Sequence, residues 1–406
     1  MSDTSPGERR LTGAGCGGAV TAAGDTDGRR GRLLRDFTDI IAIDSPSLKE
    51  RRTADATREK LLAIGMSVYE DGAGRTCGGN CGNIIAALPG ETGLPSVALL
   101  AHMDTVGPCE NKRWAIDGDI IRSDGKTILG GDDAAGIAAA IEIVRRVKEE
   151  GIRHGGIAVI LTIAEEVGLY GSKYLDPASI GTALGNGAPP EYCFVFDSGT
   201  PPGSVVSRAP SHTDFIITVT GAAAHAGIEP EKGVNAIIAL SEAIAGMRLG
   251  RIDAETTSNI GVVRGGGARN VVCGLAEAEG EVRSHDPGKL AAQLAGIKER
   301  VAEACARRGA AFEFKEIDSY SAFSLTPGDA IIKLLSRAAN ARGYELELVP
   351  TGGGSDANVL NAKGVPAANL PVGMHEVHGV NEYTDLRETE ETIALIVEAL
   401  RVLSGD

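Results

Sequence analysis

Three short apolar runs in this chain each stop at ionisable residues. Val97–Ala101 runs into His102-Met103-Asp104, Gly156–Ile163 into Ala164-Glu165-Glu166, and Glu191–Phe196 into Asp197-Ser198-Gly199. Runs this short, without apolar/polar alternation, suit strands buried on both faces of a parallel sheet. In open α/β sheets ligands bind at the carboxyl edge, which is where all three runs carry their acids and imidazole. Side chains alternate along a strand, so His102 and Asp104 can point into one cleft. Capping a strand end would account for one such residue; it does not account for three strands ending alike.

The intervening segments complete an α/β pattern. Leu33, Leu34, Phe37, Ile40 and Ile41 recur at helical spacing, Leu48–Ile64 continues as a helix stopped at Gly65, and Met66–Tyr69 and Asn83–Leu88 read as strands. After Asp132-Asp133, the residues Ile137, Ile141, Val144 and Val147 mark one face of a helix through Glu150. Acids at a helix start are favoured by the dipole and free amides, which explains one of the pair. Leu129-Gly130-Gly131 reads as a loop that must approach something closely.

Near Ser207–His212 the texture changes. Asp214–Thr220 alternates, a helix follows over Gly233–Arg248, and Asn259–Val263, Asn270–Cys273 and Glu277–Arg283 read as strands. Lys289–Arg308 then reads as a helix and Ala311–Ile317 as a strand. Beyond Ser321 come a helix over Asp329–Ala341, a strand at Leu346–Val349, a glycine loop at 352–354, a helix over Asp356–Ala362 and an amphipathic helix to Leu403. The expected fold is α/β: a mixed, mostly parallel sheet flanked by helices over residues 31–208 and 322–406, interrupted by a smaller α+β lid or dimerisation domain over 209–321. Residues 1–30 lack hydrophobic periodicity and are expected to form a disordered tail.

Charge bounds the partners. The 406 residues carry a net charge of −15, no basic cluster and a single Trp, which opposes nucleic acid and anionic membrane surfaces. No apolar run approaches the ~18 residues of a membrane helix, and the N-terminus lacks a basic-then-apolar secretory pattern. Seven scattered cysteines form no disulfide or zinc framework; Cys77 and Cys81 read as a solvated glycine-rich loop, with a redox or metal pair as the alternative. Reduced thiols in a cytoplasmic protein are the expectation. Gly265–Gly267 and Gly352–Gly354 lack the spacing of phosphate loops, and there is no Gly-x-Ser-x-Gly elbow.

The collected polar set is His102, Asp104, Asp132, Glu165, Glu166, Asp197 and His378. Two imidazoles and several carboxylates suit zinc, and an aspartate can bridge two ions roughly 3.5–4 Å apart. Of two adjacent glutamates in an extended segment, one can bind metal while the other faces a water whose proton must be moved.

The stretches LLAHMDTV, ILGGDDAAG, TIAEEVGLYGS, FDSG, GAAAHAGIEPEKGVNAI, EVRSHD, GGGSDAN and HGVNEY follow in order along residues 31–406. Together they resemble the co-catalytic zinc exopeptidases related to peptidase T, carboxypeptidase G, aminoacylase and succinyl-diaminopimelate desuccinylase. The EEVGLYGS and GGDDAAG variants are most similar to the peptidase T branch. The resemblance implies two zinc ions, with cobalt or manganese able to substitute. His102 and Asp197 would hold the first, Asp132 would bridge both before a cis peptide, and Glu166 with a late histidine would hold the second. That histidine is His375 or His378; the family pattern of Asn-Glu three residues later favours His378, ahead of Asn381-Glu382.

The resemblance further implies Glu165 as general base and later acid, acting on a hydroxide that bridges the ions, with Asp104 orienting His102. His225 would reach a neighbouring subunit's site to hold the oxyanion, making a homodimer through the inserted domain. Arg283 would grip a substrate carboxylate, and Asn270 with the backbone of Gly353, Gly354 and Ser355 would touch substrate. Ala134 is a departure, since relatives often carry Lys there. The implied activity is an exopeptidase acting on short peptides, a tripeptide aminopeptidase. A carboxypeptidase or an N-acyl amino acid amidohydrolase would apply the same chemistry to other substrate ends. A non-catalytic metal-dependent binding protein would have lost the base or a ligand, and none is lost. His154, His212 and His285 read as surface or structural residues.

Overall fold

A computed structural model describes residues 28–405. Most of the tail expected over residues 1–30 lies outside them, while Arg29 and Arg30 already belong to the first helix, Arg29–Ile41.

The three apolar runs are adjacent strands in one nine-stranded sheet. Val97–His102 lies between Gly156–Thr162 and Tyr192–Ser198 and parallel to both, with His102 opposite Thr162 and Leu100 opposite Val195. Ala367–Pro371 extends the parallel centre beyond Tyr192–Ser198. The flanking strands Ser67–Glu70, Ile84–Pro89, Ser204–Ala209 and Phe323–Ser324 pair antiparallel. Burial on both faces explains the unbroken apolar runs. Leu99, Val159 and Phe194 pack in one core with Ile137 and Ile141 of the helix Gly131–Glu150. Leu100, Ile160 and Val195 pack in the other with Ile180 and Leu360, from the helices Pro177–Leu184 and Asp356–Ala362. The connections from Val97–His102 to Gly156–Thr162 and on to Tyr192–Ser198 thus cross opposite faces, which opens a crevice at the carboxyl ends.

A separate five-stranded antiparallel sheet runs in the order Gly250–Arg251, Thr256–Gly265, Leu275–Ser284, Ser211–Thr220, Ala311–Tyr320. Burial alternates along Ser211–Thr220. Phe215, Ile217 and Val219 share a core with Leu240 of the helix Ala236–Ala245 and Leu294 of the helix Pro287–Arg308. The opposite face is left open. The strand expected at Asn270–Cys273 is absent: Val271 makes one isolated bridge to His225, and Gly274 separates this turn from the true strand. A small third sheet joins Trp114–Asp117, Ile120–Ser123, Tyr383–Asp385 and Met374–His375. Its strands of two to four residues carry too little periodicity to be read from sequence. Among the described residues, no helix is long and apolar enough to cross a membrane.

Candidate metal centre

His102 is the last residue of its strand and fully packed, with Nδ1 2.9 Å from the Asp104 carbonyl oxygen. Asp132 and Asp133 open the helix Gly131–Glu150 with non-helical dihedrals, and the peptide between them is cis. Their loop is held by the buried Glu382. Its Oε2 accepts the amides of Leu129 (2.7 Å) and Gly130 (2.9 Å), and its Oε1 accepts that of Asp132 (3.1 Å). Gly131 must be glycine: a Cβ would lie 2.2 Å from Thr384 Oγ1. Asp133 is the capping member of the pair, accepting the amides of Gly136 (3.0 Å) and His102 (3.1 Å).

Three consecutive amides beyond Gly156–Thr162 are anchored in the same way. Ala164 donates to Glu50 Oε1 (3.0 Å), Glu165 to Asp104 Oδ1 (2.9 Å) and Glu166 to Asp104 Oδ2 (3.2 Å). Asp197 exchanges main-chain hydrogen bonds with the Asn369 side chain, at 3.0 and 2.6 Å.

These anchors converge the side chains. His102 Nε2 lies 3.0 Å from Asp132 Oδ1, and His378 Nε2 lies 3.1 Å from Asp132 Oδ2 and 3.2 Å from Glu166 Oε2. Asp132 therefore presents one oxygen to each imidazole. His102, Asp132 and Glu166 offer ligand atoms within 4.8 Å of one another, as do His102, Glu165 and Asp197. Four carboxyl groups crowding two imidazoles make a strongly negative pit. Burial, and then the charge of Asp197, pushes Glu165 well above the usual carboxylate range; burial and Asp132 do the same to Asp197. Burial opposes a charge on Asp132, yet hydrogen bonds from His102 and His378 hold its carboxyl low. Asp132 and then Glu166 push His378 up to about 10. Glu166 Oε1 is buried without a hydrogen-bond partner. A buried, partnerless carboxylate oxygen among imidazole nitrogens fits a divalent cation with mixed N/O preference, such as zinc.

Residues 98–402 match the model of peptidase family M20/M25/M40. The chain belongs to this family.

It is thereby a metallopeptidase. An uncharacterized protein of Bacillus subtilis (strain 168), YqjE, is 37% identical over 366 residues, covering 90% of this chain and 96% of its own. The aminopeptidase PepT of Bacillus cereus superposes with a TM-score of 0.81 at 36% identity, covering 93% of this chain and all of its own. A tripeptidase of Staphylococcus aureus superposes with a TM-score of 0.84 at 31% identity, covering 93% of this chain and 99% of its own.

Within this M20 chain the late histidines separate. His378 joins the pit, whereas His375 stacks on Tyr383 (centroids 4.6 Å apart) and pairs with Glu388 at 2.9 Å. Asp104 lies against His102: its carbonyl oxygen meets Nδ1 at 2.9 Å, and its carboxylate, which also accepts the two glutamate amides and the Ser47 hydroxyl (2.6 Å), stands 3.6 Å from the same nitrogen. His225 is exposed on the antiparallel sheet unit, outside the pit, with Nδ1 accepting the Gly227 amide. Asn270 is also exposed, and its carbonyl accepts the Ala226 amide. Arg283 spends Nε and Nη2 on Glu281 (3.2 and 3.0 Å), so that bidentate edge is not free for substrate. Gly353, Gly354 and Ser355 lead into the short helix Asp356–Ala362, where Ser355 Oγ caps Ala357.

Sequence reasoning gave Glu50 and Asn369 no place and used Glu382 only as the marker of His378, whereas all three hold the backbone of the pit. Asn369 was detectable as an amide inside the apolar stretch Ala367–Pro371. Glu50 carried no signal, since an acid before a helix reads as solvated surface.

Proposed function

We propose that this M20 peptidase is a tripeptide aminopeptidase that carries two zinc ions. The observation that supports it most is Asp132, whose two oxygens each face one imidazole. The 36% and 31% identities to an aminopeptidase and a tripeptidase narrow the substrate to short peptides. In this reading His102 and Asp197 would hold one ion, Glu166 and His378 the other, and Asp132 would serve both. Bound there, the ions supply Lewis acidity toward the scissile carbonyl and a water of lowered pKa.

The chain's own residues do the rest. Glu165, buried beside Asp197, takes the proton of the attacking water and returns it to the leaving amine. Residues 209–321 act as a lid and dimerisation domain, and His225 of one protomer donates to the oxyanion in its partner's site. The exposed apolar residues Ile228, Ile237, Val263, Val271 and Leu275 lie in this unit and support a homodimer through it. The six described cysteines are unpaired, which supports a reducing, cytoplasmic location.

The test is a substrate panel on the zinc-loaded protein. Free tripeptides should be cleaved at the N-terminal bond, and N-acylated dipeptides should not. Preferential cleavage of the acylated peptides would overturn the aminopeptidase reading in favour of an amidohydrolase.

A further inference from the structure

The open face of the antiparallel sheet carries a second cluster of ligand-type side chains, built from none of the pit's residues. His212 and Asp214 are two apart on Ser211–Thr220 and so share that face. Glu281, on Leu275–Ser284, is the direct cross-strand partner of Asp214. The three offer ligand atoms within 4.8 Å of one another. His212 Nε2 lies 3.1 Å from Asp214 Oδ1 and 3.2 Å from Glu281 Oε2.

Carboxylates set opposite one another repel, and here each already has company. Arg283 holds Glu281, Ser319 donates to Asp214 Oδ2 at 2.7 Å, and Lys173 is near enough to feel the Asp214 charge. The imidazole is the group left over. Its side chain is 11% exposed, and Nε2 is buried without an aligned hydrogen bond, although two oxygens are within reach. One N–H could serve only one of them. A nitrogen that faces two anionic oxygens and bonds to neither fits a cation held by all three. Ligands about 2.0–2.1 Å from a tetrahedral ion stand roughly 3.3 Å apart, close to the separations here. In the pit, His378 keeps the same distances, 3.1 and 3.2 Å, from Asp132 and Glu166.

The surroundings orient these side chains. Asp318 pairs with Thr213 and Tyr320 with His212, so Ser319 is the extra residue of a bulge. Bulges re-aim the side chains around them. This one turns the Ser319 hydroxyl to Asp214 and sets the Tyr320 ring edge-on to His212, with centroids 5.2 Å apart. The same ring rests on Gly354, where a Cβ would lie 2.1 Å from Cζ. Outer partners of this kind hold metal ligands in place.

We propose that His212, Asp214 and Glu281 form a further metal site, which takes one divalent first-row cation such as zinc through one imidazole nitrogen and two carboxylate oxygens. Three protein ligands leave a position for water. Asp214 and Glu281 are 44% and 34% exposed, which makes the ion exchangeable. Bound there, it ties Ser211–Thr220 to Leu275–Ser284. The site does not rest on the peptidase reading above.

The experiment dialyses the full-length protein to equilibrium against a series of buffered free-zinc concentrations and counts bound zinc per chain by elemental analysis. The parent should bind one equivalent more than His212→Phe or Asp214→Asn, whose affinity for that equivalent should fall more than about 100-fold, beyond the loss of an outer partner. Glu279→Gln removes an acid on the same strand that pairs with Arg264, and it should keep the equivalent. That variant separates a built site from diffuse surface charge. Because the result is a difference between chains, it does not depend on how many ions the pit holds. Should His212→Phe fail to fold, the part-exposed Asp214→Asn decides alone. Equal zinc in the parent and the folded variants, or the same loss in Glu279→Gln, overturns the site and leaves His212 as an imidazolium between two acids.

Discussion

The carboxyl edge of the parallel sheet and the open face of the antiparallel sheet are built on different principles. At the edge, the segments that carry Asp132, Glu165, Glu166 and Asp197 are tied by their main chains to buried side chains: Glu382 for Asp132, Asp104 for Glu165 and Glu166, Asn369 for Asp197. On the open face, Arg283 is 28% exposed and held by an ion pair to the 34% exposed Glu281, and His225 is solvent-exposed. The difference separates two tasks. Metal ligands must be fixed within about 0.5 Å by surroundings that cannot relax. In the proposed function, the groups that meet peptides of varied side chains work from a surface that can adjust.

The sharpest way to break this comparison is at the pit. Glu165→Gln should lower kcat about 10³-fold while bound zinc stays at the parent level, measured by steady-state kinetics and elemental analysis. Ordinary activity would remove Glu165 from its proposed role. Next come the anchors. Glu382→Gln weakens the hold on three amides around Asp132 and should cost about 10–100-fold in zinc affinity, read by competition with a chromogenic chelator. His375→Ala, at the ring stacked on Tyr383, should leave zinc affinity unchanged; a loss there comparable to that of His378→Ala would reverse the assignment of the late histidine.

Across protomers, mixing inactive His225→Ala and Glu165→Gln chains should restore part of the activity in verified heterodimers. No recovery would confine each site to one chain. The smallest effect belongs to the open face. His212, with Nε2 3.2 Å from its carboxylate, and then Arg283 lower the Glu281 carboxyl to about 2, against an ordinary 4.5. A depressed carboxyl contributes stability that is complete above its ordinary pKa and lost as pH falls through the folded value. Glu281→Gln should therefore lower Tm by about 2 °C at most at pH 7, given the partial exposure of the pair. The gap should close between pH 4.5 and about 2. A gap that persists at pH 2 would mean the effect is packing rather than charge.

The sequence made the parallel core legible because burial on both faces leaves a continuous apolar run, and the acids ending each run mark the binding edge. In the antiparallel sheet alternation made Asp214–Thr220 legible, but the two-residue strand Gly250–Arg251 left no trace, and at Asn270–Cys273 two valines and a cysteine imitate a strand that is absent. The candidate site was legible at Asp132 from an acidic pair that capping only half explains, and at His378 from the resemblance. It was opaque where a side chain serves a distant backbone. Glu382 holds an amide 250 positions away, and Tyr320 reaches the Gly354 loop only through a bulge. Neither relation leaves a periodic trace.

The central claim is that Asp132 is shared by two cations. Anomalous diffraction at the zinc edge from crystals of the loaded protein tests it directly. Two peaks roughly 3.5–4 Å apart are predicted, one on the His102 side of Asp132 and one on the His378 side. A single peak, or a pair remote from Asp132, would contradict the account.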